Sequence, residues 1–131
     1  MAPIDKIAAA LATRLNTLGL PTHWENGPSF TPPAGVAYLK ESFMPGEAFP
    51  FGVFQADILG GIYQVTVMIP KGATKGGSVA AVDAVLSAFP RGLRLVHDGQ
   101  SVTVLTSWRS GGFESGDRWA VPISIRFRGF A

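Results

Sequence analysis

Few side chains in this sequence could do chemistry, and their spacing argues against most of what they could do. His23 and His97 are the only histidines. Neither has an acidic residue or a second imidazole at metal-ligand spacing, so they read as a surface and a hairpin residue. Glu47 and Asp57 could be brought together as an acid and base pair, but two carboxylates in a loop are more often solvated. KGATKGG, residues 71–77, sets lysines and glycine amides before a helix, as anion-binding loops do. It lacks the G-x-x-x-x-G-K-[ST] order and reads as a connector. WRSGGFESGDRW, residues 108–119, has the Gly/Ser character of a binding loop, with Arg109, Glu114, Asp117 and Arg118 reading as the solvated tip of a long hairpin. The absence of cysteine excludes disulfides, iron–sulfur clusters, zinc–thiolate sites and cysteine nucleophiles. With no nucleophile–base pair and no metal cluster to assemble, neither catalysis nor a cofactor is expected.

Composition leads to the same class. A chain of 131 residues with 47% hydrophobic and 15% charged residues has the apolar surface to fold and the length of one domain, residues 1–131. Nine Phe and three Trp with so little charge imply that some apolar surface lies in a partner interface, so an oligomer is expected. A formal charge of +2 creates no strong field and does not indicate sequence-specific nucleic-acid binding. No apolar run reaches the roughly 18 residues that span a bilayer, and no signal-peptide pattern opens the chain. A soluble protein with no membrane partner, made in the cytoplasm, is expected.

The elements that would position these residues are legible from periodicity. Ile4, Ile7, Ala8, Leu11, Leu15 and Leu18 recur at helical spacing, with Pro3 and Asp5 suited to the first turn and Gly19 and Pro21 to the stop. A strand beginning at Thr22 runs into GPSFTPPAG, whose prolines and Gly35 impose a loop, and VAYLKESFM then alternates as a second strand. GEAFPFGVFQADILGG, residues 46–61, carries Phe49, Phe51, Phe54 and Leu59 among glycines and a proline, and reads as an extended loop or arm. IYQVTVMIP is a central strand with Tyr63, Val65, Val67 and Ile69 on one face. A second helix follows with Val79, Val82, Val85, Leu86 and Phe89 inward, capped by Ser78. Asp98-Gly99 marks a two-residue hairpin turn. In the last strand Trp119, Val121, Ile123, Ile125 and Phe127 face one way, Arg126 and Arg128 the other, and Pro122 suggests an edge strand or a bulge. The fold class is α+β: a mostly antiparallel sheet with two amphipathic helices on one face, plus the long arm.

The order W-E-N-x-P-x-F-x-P-P-x-G (residues 24–35), Tyr38-Leu39, G-x-Y-Q-V-x-V-x-x-P (61–70), A-V-D-A-V-L-S-A-F-P-R-G (81–92) and W-x-V-P-I-S-I (119–125) resembles the tail terminator, or tail completion, proteins of long-tailed bacteriophages and prophages. The resemblance implies a structural virion protein that forms a ring, usually hexameric, on the head-proximal end of the tail tube, ends tube polymerisation and offers a surface for head–tail joining. The implied partners are further copies of the chain, the tail tube protein and the head–tail connector (head completion) protein, with genome DNA passing through the ring. The implied location is the head–tail junction of the virion. Phe49, Phe51, Phe54, Leu59, Arg126 and Arg128 are the expected subunit-interface residues. The alternatives are another connector or tail tube component, or a small ligand-binding α+β domain using the Gly-rich loops.

Overall fold

The computed structural model describes residues 2–51, 56–72 and 75–130. Helix α1, Pro3–Asn16, begins with Pro at its first position and Asp5 in its first turn, where a missing N–H and a negative charge are both favourable. Its periodic apolar residues Ile7, Leu11 and Leu15 are fully buried together with Ala10. After Gly19, at φ 70°, the chain enters β1, Thr22–His23, which pairs parallel with β2, Tyr38–Pro45. The first strand is shorter than THWEN suggests. Asn26 takes φ 53° and the Gly27 N–H donates to the Trp24 carbonyl at 3.1 Å, so Trp24, Glu25 and Asn26 form a turn while Trp24 itself packs against the core.

Strand β3, Phe49–Phe51, pairs antiparallel with β4, Ala56–Pro70. Residues expected in a loop, Asp57 to Gly61, are therefore strand. The glycines that argued against a strand are explained by close backbone approach: a Cβ at Gly61 would lie 2.4 Å from the Met44 carbonyl oxygen, and the Gly46 N–H donates to Gly60 O at 2.7 Å. Helix α2, Lys75–Ala88, starts three residues before Ser78, so Ser78 lies inside the helix and is not its cap. Glycine costs about 1 kcal/mol in a helix interior, and the burial of Val82, Val85, Ala88 and Phe89 outweighs Gly76 and Gly77 in the first turn.

Strands β5, Arg94–His97, and β6, Gln100–Arg109, form the expected hairpin, with Asp98 at φ 49° and Gly99 at φ 81°, the left-handed pair a two-residue turn demands. Strand β7, Phe113–Ser115, pairs with β8, Arg118–Phe130. The eight-stranded sheet runs β1-β2-β4-β8-β6-β5, with β3 beside β4 and β7 beside β8. Strand β8 is thus central, not an edge, and the register shift lies on β6, between Val104 and Thr106. Pro122 is tolerated because its carbonyl, which accepts from Ser110 N–H at 2.9 Å, and its donorless nitrogen both point to the side where β6 has ended and β7 has yet to begin.

Both helices cover one face of the sheet. Tyr63, Val65, Val67, Val121, Ile123, Ile125 and Phe127 project from that face into a continuous core with α1 and α2. Arg14 Nε ties the helices together by donating to Ala88 O at 2.8 Å, and Ser107 Oγ donates to Phe89 O at 3.0 Å.

Candidate interaction surface

The sheet face away from the helices is divided. At one end the Pro-rich loop folds over it: Phe30 stacks on His23 at 5.3 Å and meets Tyr38 at 5.1 Å, above a small buried cluster of Tyr38, Met68 and Ala120. Arg118 holds that loop. It is 6% exposed, its guanidinium donates to the carbonyls of Val36 and Pro33, and it lies 4.8 Å from the Tyr38 ring centroid. The sequence reading placed Arg118 in a solvated tip; its neighbour Glu114 does sit there, 73% exposed, and pairs with Lys71 at 3.7 Å. Arg118 is buried because it opens β8 directly beneath the loop, and the loop carbonyls that cannot join a ladder need its donors.

At the other end this face is open. Register places Met44, Ile62, Arg126 and Thr106 in one cross-strand row, and Ser42, Gln64, Ser124 and Trp108 in the next. Met44 is 41% exposed, Trp108 39% and Phe130 47%. The Arg126 guanidinium carbon lies 5.8 Å from the Trp108 ring centroid, and that of Arg128 lies 5.5 Å from Phe130. Lys40 and Arg94 are exposed on the same face by the same register.

Between these groups runs a trough of about 400 Å³, lined by Gly46, Glu47, Ile58, Gly60, Gly61, Ile62, Leu105, Arg126, Phe127 and Arg128. Gly60 and Gly61 supply bare backbone, and Leu105, the unpaired residue of the β6 irregularity, follows the core-facing Val104 and so lies on this side together with Thr106. Two successive apolar residues, Val104-Leu105, in an alternating run were the sequence signal for that irregularity. The trough is apolar, with Glu47, Arg126 and Arg128 as its charged residues.

The expected interface residues are distributed unevenly. Arg126 and Arg128 are exposed on the open face, flanking the trough. Leu59 alternates to the helix side and packs against the core cluster. Phe49 and Phe51 lie in β3; their side chains, and Phe54 entirely, fall outside the described residues. Glu47 lines the trough beside Ile58, whereas Asp57, adjacent to Ile58 in β4, points to the opposite side of the hairpin. Among the described residues no three His, Cys, Asp or Glu side chains are grouped to hold a metal. His97 sits in β5 opposite Gln100.

One polar cluster was not read from the sequence. The Tyr63 hydroxyl donates to Glu41, whose other oxygen accepts the Glu25 N–H at 3.1 Å, while Glu25 accepts the Phe43 N–H. Burial, then the bond to Glu41 and its charge, push the Tyr63 hydroxyl far above the ordinary tyrosine range. The three residues staple the turn after β1 to β2.

A sheet sealed by helices on one side, with Trp, Phe, Met and Arg displayed beside an apolar trough on the other, has the composition of a subunit built to bind other proteins. The family comparison agrees. The chain belongs to the phage tail terminator family, whose model, described as phage tail terminator protein, matches residues 6–127; it is a structural protein of the phage tail and a virion component, not an enzyme type. A solved structure 27% identical in sequence covers 95% of this chain and 94% of its own, with a TM-score of 0.77. A chain from the virion of a native gene transfer agent particle, 18% identical, covers 99% of this chain and 98% of its own at a TM-score of 0.68, a likeness of fold. No curated protein matches the chain.

Proposed function

We propose that the chain forms a closed ring of six subunits on the head-proximal end of the tail tube, where it stops tube polymerisation and presents a surface to the head–tail connector. Family membership over residues 6–127 carries this reading. The open sheet face and the β3–β4 hairpin support it physically. A ring needs two different complementary surfaces on each subunit, and the open sheet face and the hairpin are adjoining but different surfaces that meet at Ile58. Phe49, Phe51, Phe54, Leu59, Arg126 and Arg128 are the proposed contact residues. The tube protein and the head completion protein are the proposed partners on the two ring faces, and genome DNA passes through the centre. A chain of this fold in the virion of a gene transfer agent particle is compatible with such a place.

The test is tail length. A strain lacking the protein should make tails of uncontrolled or excessive length and few joined particles, scored by negative-stain microscopy. Normal-length tails that still join heads would refute the assignment.

A further inference from the structure

We propose that Asn26 is a site of spontaneous covalent modification, where the turn after β1 converts its asparagine to aspartate and isoaspartate through its own backbone. The proposal does not rest on the ring reading. The chain has two asparagines, and of these Asn26 alone precedes a glycine. The fold demands both halves of that pair. Residue 26 takes φ 53°, a left-handed backbone that asparagine tolerates and branched or bulky residues do not, and a Cβ on residue 27 would lie 2.9 Å from the Trp24 Cβ. Both residues are exposed to water. Without a Cβ, Gly27 leaves its nitrogen open to the Asn26 side chain. Asn16, in contrast, closes α1 and precedes the β-branched Thr17, which screens the following nitrogen.

The step uses water and no other reactant. In the closed turn the Gly27 N–H donates to the Trp24 carbonyl at 3.1 Å, which keeps that nitrogen occupied. When the turn opens, the nitrogen loses its proton and attacks the Asn26 side-chain carbonyl carbon; a C–N bond closes a five-membered imide, and the side-chain nitrogen leaves with the proton as ammonia. Water then opens the imide. Cleavage of the new C–N bond gives aspartate, and cleavage of the original peptide bond gives isoaspartate, with no change in oxidation state. Either product adds a negative charge to a cleft that Asn26 already lines with Glu25, Glu41 and Ala8, Ala9 and Ala12 of α1. Isoaspartate also adds a methylene to the main chain, so the turn that sets Trp24 on the core and Glu25 on the Phe43 N–H of β2 cannot close as before.

The tryptic peptide of residues 15–40, cut after Arg14 and Lys40, carries both asparagines, so each is the other's control. Purified protein is held in mildly alkaline buffer and this peptide is followed by mass spectrometry, with electron-transfer fragmentation to separate aspartate from isoaspartate. Loss of the amide at residue 26 about tenfold faster than at residue 16 is expected, because Gly27 allows the two reacting atoms to meet. Equal rates, or an Asn26 still intact when the urea-unfolded chain has converted, overturn the proposal. Tyr63→Phe, which removes one bond of the staple holding the turn, should speed conversion about fivefold, in step with the opening equilibrium; an unchanged rate overturns the gating by the turn. Asn26→Gly keeps a residue that accepts φ 53° and cannot react. Aged wild-type protein should lose stability to urea and aged Asn26→Gly should not; equal losses overturn the claim that the modification opens the turn.

Discussion

Replacing Arg118 by alanine removes what holds the Pro-rich loop against the sheet, and the cost follows from its surroundings. The buried guanidinium donates to Pro33 and Val36 carbonyls and lies over Tyr38. Each hydrogen bond from a charged donor contributes about 1.5–3 kcal/mol, and a desolvated cation–π contact about 1–2 kcal/mol. The gross sum is about 4–8 kcal/mol, from which the relieved burial of a cation subtracts several kcal/mol. We expect a net loss of about 3 kcal/mol, a large share of the 5–15 kcal/mol that holds an ordinary domain together. Arg118→Lys keeps a charge but loses the planar fork, and should cost about half as much.

Urea unfolding followed by tryptophan fluorescence reads this directly. With a slope of about 2 kcal/mol per molar, the midpoint of Arg118→Ala should fall by about 1.5 M. Amide exchange should accelerate first at residues 28–37, the segment the guanidinium pins. A midpoint within about 0.3 M of wild type, with those amides as protected as before, would refute the argument.

Tyr63→Phe should cost about 1 kcal/mol at neutral pH, since one hydroxyl bond to Glu41 is lost. Because the folded-state hydroxyl titrates well above its unfolded value of about 10, its contribution is intact below pH 10 and declines as pH rises beyond it; the variant should lack that alkaline decline in stability. Gly61→Ala forces a Cβ to 2.4 Å from Met44 O and should cost about 1–3 kcal/mol by thermal or urea unfolding, whereas Gly111→Ala, with nothing within 4 Å, should be close to neutral. Phe51→Asp or Phe54→Asp should leave a folded subunit that yields overlong tails. Lys71→Asp, which removes only an exposed 3.7 Å pair with Glu114, should leave tail length unchanged.

Periodic patterns on the helix-covered face were readable because burial there is continuous. Tyr63, Val65, Val67 and Ile69 alternate without interruption and are all in the core, and Asp98-Gly99 forms its turn because few other residues accept left-handed backbone at both positions. Misreadings occurred where a residue's reason is another strand's backbone. Pro122 looks like an edge residue until β6 and β7 are seen to leave a gap opposite it, and Gly60 and Gly61 look like loop until the end of β2 is found pressed against them. Arg118 looks solvated among Glu114, Asp117 and glycines. Its partners are carbonyls more than eighty residues away, invisible to any local pattern.

The trough escaped the sequence reading for the same reason. None of its apolar residues is unusual in its own strand: Ile58 and Ile62 belong to a long alternating β4, and Leu105 follows Val104 in β6. They become a surface because β4 carries two glycines where a central strand would place side chains, and because β6 gains one residue relative to β8 at that level. In a strand meant only to support a core, both features are costs: glycine weakens it and an irregularity breaks its ladder. Their coincidence on the uncovered face leaves an apolar trough there that a strand serving only the core would not have.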